Sequence, residues 1–281
     1  MPIAKVQSTP PVAGTGSVVL TFSSPPVVGN VIAVPVSAYR NGANFGMGAA
    51  DNHGNTYVLD ADTGDSNGGR AFILKTHNIA AGGAFTVTVT ATGPGGPTAQ
   101  LEAIAIEGSG FGATNPLVGS GTSKSAACTT AATGAPEVLV IGVLACFRLN
   151  FDITSLTVVV DVPAWTEEYE KLSSSPFVLA GEADSRVVGS SGAQAISWTI
   201  GSVSAAGICS AVIALYSLPP DAFARVTQIG KQVLEQDGTI NARLTQMARE
   251  VLYPFTCVPG PSNVPATGCP AATSFDPAPV S

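Results

Sequence analysis

The sequence predicts a mostly β protein: two tandem antiparallel sandwiches, followed by a short repeat and a Pro-rich tail. Three observations predict it. The apolar run Val31–Tyr39 (VIAVPVSAY) returns 107 residues later as Val138–Cys146 (VLVIGVLAC). Later segments match in the same order, at offsets that stay between 105 and 111 residues. Ala71-Phe72-Ile73-Leu74 answers Pro176-Phe177-Val178-Leu179, and Leu101–Ile106 answers Ser210–Leu215. Finally, 31 glycines and 21 prolines in 281 residues exceed the ordinary ~12% and separate short apolar runs by turns. No helix-period segment interrupts those runs, a pattern that fits sandwiches of the jelly-roll or immunoglobulin-like kind. Residues 16–108 and 125–217 therefore read as one unit and a diverged second copy, the product of an internal duplication.

Taken in order, residues 1–15 carry Pro and Gly and are expected to form an extended N-terminal arm. Strands of the first copy are expected near 17–22, 31–39, 56–59, 71–77, 84–91 and 99–107. The two long runs are too short for a helix to be the first choice and read as strands buried on both faces. Phe85-Thr86-Val87-Thr88-Val89-Thr90 alternates as a half-buried strand should. Turn chemistry lies between the runs, at Asn41-Gly42, His53-Gly54-Asn55, Gly82-Gly83 and Pro94-Gly95-Gly96. Residues 109–124 are rich in small residues and read as a linker. Strands of the second copy follow near 126–130, 138–146, 155–161, 165–171, 177–183, 195–200 and 207–216.

Residues 218–253 change character. Ala224–Glu235 and Ala242–Tyr253 repeat at a spacing of 18, with six of twelve positions identical. Val226, Ile229, Val233 and Leu234 in the first, and Leu244, Met247, Val251 and Leu252 in the second, fall at helical spacing along one face. Two short amphipathic helices are expected, although the Arg-Val-Thr-Gln opening is also compatible with strands. At about twelve residues neither would be stable alone, so their apolar positions are the expected assembly interface. The tail, 254–281, has seven prolines and no regular structure is expected of it. Cys257 and Cys269 bracket a loop there and are the candidate disulfide pair. Cys128, Cys146 and Cys209 lie in apolar strands, where a thiol behaves as a small hydrophobe. Cys128 and Cys209 occupy the first and last strands of the second copy, a placement compatible with a bridge that spacing alone does not establish.

Candidate chemistry is sparse. The two histidines, His53 and His77, limit acid–base options, and His53 sits in an Asp51-Asn-His-Gly-Asn turn of the self-bonding kind. No Gly-x-Ser-x-Gly elbow is present. Asp60-Ala-Asp62-Thr-Gly-Asp65 resembles a calcium loop but lacks the glycine at position six and the closing glutamate, and is expected to be an acidic hairpin tip. Glu167, Glu168 and Glu170 fall on one predicted strand, with Glu168 and Glu170 sharing a face, and a solvated edge strand is expected rather than a glycosidase pair. Of the aromatic residues that stack on sugars, Trp165, Tyr39 and Tyr169 stay open, whereas Trp198 and Tyr57 are expected in the core. No catalytic residue, metal site or cofactor is predicted.

Charged residues make only 11% of the chain and the net charge is −7. The twelve Lys and Arg form no cluster, which excludes a phosphate-binding face. No apolar run approaches the ~20 residues of a membrane span. The N-terminal MPIAKVQSTPPVAG lacks the apolar core of a secretory signal. Partners of nucleic-acid or membrane type are not expected.

Gly29-Asn-Val-Ile-Ala-Val-Pro-Val-Ser, Asp51-Asn-His-Gly-Asn-Thr-Tyr, Gly69-Arg-Ala-Phe-Ile and Phe85-Thr-Val-Thr-Val together resemble a β-sandwich family widespread in tailed phages and bacteria. The tandem Arg-Val-Thr-Gln/Val-Leu repeat looks like a tail found on phage structural proteins. The resemblance implies a virion component without enzymatic activity: a capsid decoration, head-fibre or tail-fibre protein. It also implies a homo-oligomer with capsid or tail proteins as partners. A carbohydrate-binding module for host surface glycans is the alternative, and a glycan hydrolase the third.

Overall fold

The computed structural model describes residues 2–40, 44–64, 68–111, 116–133, 135, 137–148, 155–159, 164–172, 179–189, 191–201 and 205–216. In the first half the strands are β1 (Ala4–Ser8), β2 (Val12–Thr15), β3 (Ser17–Thr21), β4 (Val31–Tyr39), β5 (Gly46–Asp51), β6 (Val58–Asp62), β7 (Gly69–Thr76), β8 (Thr86–Thr92), β9 (Gln100–Ala103) and β10 (Ile106–Ser109). In the second half they are β11 (Leu117–Ser123), β12 (Ala127–Thr129), β13 (Val138–Arg148), β14 (Leu156–Val158), β15 (Thr166–Lys171), β16 (Leu179–Val188), β17 (Ala195–Ile200) and β18 (Ala205–Leu215). The protein is mostly β with antiparallel sheets. Among the described residues there is no α-helix, only a 3-10 turn at Gly96–Thr98.

The first half has a large sheet ordered β1-β10-β4-β7-β6, with β2 and β9 continuing the β1 and β10 positions, and a small sheet β3-β8-β5. The second half has a large sheet β11-β18-β13-β16-β15 and a small sheet β12-β17-β14. The alternation read at Phe85–Thr90 appears in β8, whose residues are buried at every second position. A proline inside a central strand removes a ladder donor, and β4 contains Pro35. The neighbouring strand breaks at that level: β10 pairs with β4 up to Ala33 and β9 pairs from Val36 onward. The outer strand breaks beside it at Thr9-Pro10-Pro11, where Thr9 bonds Ala105 through both its N–H and its hydroxyl.

Side-chain alternation then decides what each face meets. Ile32, Val34, Val36 and Ala38 pack inside the first half with Leu20, Phe72, Phe85, Val87 and Val89. Val138, Val140, Leu144 and Cys146 pack inside the second half with Ile196, Trp198 and Val212. The other faces of the large sheets meet each other. There Val31, Ala33, Ile73 and Ile106 pack with Leu139, Ile141, Val143, Ala211, Ile213 and Leu215. The result is four layers, small–large–large–small, with three apolar cores. Each Val, Leu or Ile so buried contributes about 1.5–3 kcal/mol.

Several expectations change. The arm expected over 1–15 is the paired edge, β1 and β2, of the first large sheet, and the stretch expected as a linker supplies β11, the corresponding edge of the second. The two halves do not close their cores independently, because each large sheet is covered on both faces. Cys128, Cys146 and Cys209 are free and buried. Cys128 and Cys209 belong to different core layers, so the bridge considered between them is absent. Chain contacts separate Met1–Ala222 from Phe223–Ser281, and the second unit lies outside the described residues.

Candidate functional site

The Asp51–Tyr57 turn is held by one carboxylate. Asp51 Oδ1 accepts from the backbone N–H groups of His53 and Asn55, each at 3.0 Å, and Oδ2 accepts from Asn55 Nδ2 at 2.8 Å and the Tyr57 hydroxyl at 3.1 Å. Burial, and then the Asp51 charge, push the Tyr57 phenol well up. The His53 ring stacks on Phe85, with centroids 4.9 Å apart. Every polar group singled out in this turn serves its geometry, as expected of an Asx-type turn.

The acidic stretch after it is neutralised by cations. Arg70 reaches Asp62 through Nη2 at 2.5 Å and Nε at 3.2 Å, with its guanidinium over the Phe45 and Phe72 rings. Asp60 pairs with Lys75, Nζ to Oδ2 3.1 Å. Asp65 lies outside the described residues.

Glu168 is not the solvated edge charge expected. The β15–β16 register slips between Glu167 and Tyr169, and the Glu168 side chain, 1% exposed, takes Lys5 Nζ of β1 at 2.6 Å. The Ser185 hydroxyl donates to its other oxygen. This ion pair joins the two halves. Glu167 and Glu170 remain exposed.

Beside it runs a polar seam that sequence reasoning missed. Ser37 Oγ donates to the Leu144 carbonyl at 2.6 Å and lies 2.6 Å from the Tyr169 hydroxyl. Glu102, on β9, is 2% exposed, and neither of its carboxyl oxygens has a hydrogen-bond partner. Burial pushes this carboxyl up to about 9, against the opposing pull of Lys171, so at neutral pH it is the uncharged acid. The available signal was one acid inside the apolar run Leu101–Ile106.

In the second half Asp184 accepts from Trp198 Nε1 at 2.7 Å, and burial raises its carboxyl to about 7. Arg186 lies 4.2 Å over the Trp165 ring and donates to the Ala195 carbonyl. Trp165, with Cys128, Thr129, Val159 and Ser197, lines an open cleft of about 430 Å³. Of the sugar-stacking candidates, Tyr169 is buried in the seam, Tyr39 stacks on Phe147 at 4.6 Å, and Trp165 faces the cleft. Trp198 is in the core, as expected. The predicted assembly residues Val226, Ile229, Val233, Leu234, Leu244, Met247, Val251 and Leu252, and the pair Cys257 and Cys269, lie outside the described residues.

Compared with known proteins, the chain matches no protein-family model, no curated protein and no solved structure.

Proposed function

We propose that this protein is a non-enzymatic structural component of a tailed-phage virion, a capsid decoration, head-fibre or tail-fibre protein, in which residues 221–281 mediate assembly. One observation carries the reading beyond the resemblance: the chemically able groups flagged by the sequence are engaged in holding the fold. Asp51 and His53 build a turn, Asp60 and Asp62 are paired with cations, and Glu168 ties the halves together. The two halves are read as copies of one duplicated sandwich, supported by their matching strand orders and near-constant sequence offset. Quantitative mass spectrometry of purified particles tests the role. The protein should be present at a fixed copy number, and a chain ending at residue 220 should stay folded and β-rich but not be incorporated. Absence of the full chain from particles overturns the virion reading; incorporation of the shortened chain overturns the assembly role.

A second reading, a module for host surface glycans, draws on the cleft at Trp165. Glycan-array binding that disappears in Trp165→Ala would favour it.

A further inference from the structure

Strand β6 is the outer strand of the first large sheet and is held to it by β7. The pairing slips between Leu59 and Ala61, so Asp60 is the extra residue at the slip. Lys75 on β7 pairs with Val58, and its side chain reaches Asp60. The two side chains are 2% and 1% exposed, and Lys75 Nζ stands 3.1 Å from Asp60 Oδ2. The contact is an ion pair by distance but not a hydrogen bond by alignment, and Oδ2 has no hydrogen-bond partner.

A buried ammonium–carboxylate pair loses much of its attraction to desolvation, whereas an amide in the same place carries no charge. Amine and carboxyl therefore stand together where water is excluded and condensation is favoured.

The geometry points to Lys75 and Asp60 as a self-modification site, forming an intramolecular amide that staples β6 to β7. In the step, a proton passes from the ammonium to the carboxylate within the pair, and the freed Nζ attacks Asp60 Cγ. The new C–N bond forms, one C–O bond breaks, the amine proton goes to the departing oxygen, and one water leaves. No oxidant or second substrate is required. Burial favours the protonated acid, since it raises the Asp60 carboxyl against the opposing pull of Lys75. The bond would lock an edge strand, the element of a sheet most open to peeling and to unwanted pairing.

Intact-mass measurement on the purified full chain tests this directly. The expected mass is one water below that of the sequence. Tryptic digestion should fail after Lys75 and yield the 41–70 peptide joined to the 71–124 peptide. Asp60→Ala and Lys75→Ala should each restore the full mass. A wild-type chain at full sequence mass overturns the proposal. So does water loss that maps elsewhere, such as to Asp237-Gly238. The decisive reading is on the wild type, so a variant that misfolds does not blunt it.

Discussion

Glu102 is the residue whose environment departs most from that of an ordinary carboxylate. In the unfolded chain it ionises near its ordinary value of 4.5, whereas in the fold it holds its proton up to about 9. Below the lower value both states are protonated and the group adds no pH dependence. As pH rises between the two values only the unfolded chain releases the proton, so stability falls, by up to about 1.4 kcal/mol per pH unit from this one group. Glu102→Gln keeps the shape and cannot ionise. Urea unfolding at pH 5 and pH 8 should therefore show a smaller loss of stability in the variant than in the wild type. At pH 8 the variant should be the more stable by a few kcal/mol. An identical pH slope in both proteins would mean that the carboxyl is hydrated in solution. Asp184 works in the same direction, with its carboxyl raised to about 7, which is why the comparison is between variant and wild type.

At the scale of the element, β16 shows how close contact between the halves is achieved. A Cβ on Gly181 would fall 2.4 Å from Ser37 Oγ and 2.8 Å from Glu102 Oε2, whereas one on Gly189 meets nothing within 4 Å. Gly181→Val is expected to lower stability by about 1–3 kcal/mol through overpacking, with Gly189→Ala nearly neutral. Chemical denaturation of the two variants checks this, and equal effects would contradict it. Glycine also explains what the sequence made hard to see. The apolar runs of β4 and β13 were legible as strands buried on both faces, but nothing in a single run says what covers the second face. The stretch around β11 looked like a linker because it is rich in Gly and Ser. Yet a Cβ on Gly121 would lie 1.9 Å from the Thr129 carbonyl oxygen, so this glycine permits close packing rather than flexibility. Likewise Pro10 and Pro11 suggested an extended arm, although they sit where the neighbouring strand also breaks. The candidate site was legible in part. The Asp51 turn and the Trp198 core position follow from local chemistry, whereas the Ser37–Tyr169–Glu102 seam brings together residues far apart in the chain, which no local pattern encodes.

At the scale of the molecule, the four-layer arrangement makes the two large sheets energetically interdependent. Ile73 and Ile106 of one half and Ile141, Ile213 and Leu215 of the other share one core, so opening either half exposes apolar surface of both. The Lys5–Glu168 ion pair and the Ser37–Tyr169 contact cross the same boundary. A pair of sandwiches joined only by a linker would behave as separate folding units; this one should not. Native-state hydrogen exchange on the full chain tests that claim most directly. The slowest amides of β4 and β7 should show the same opening free energy as those of β13 and β18, to within about 1 kcal/mol. Protection in one half that is weaker by several kcal/mol, with the other half still closed, would contradict the shared core and return the molecule to two independent sandwiches.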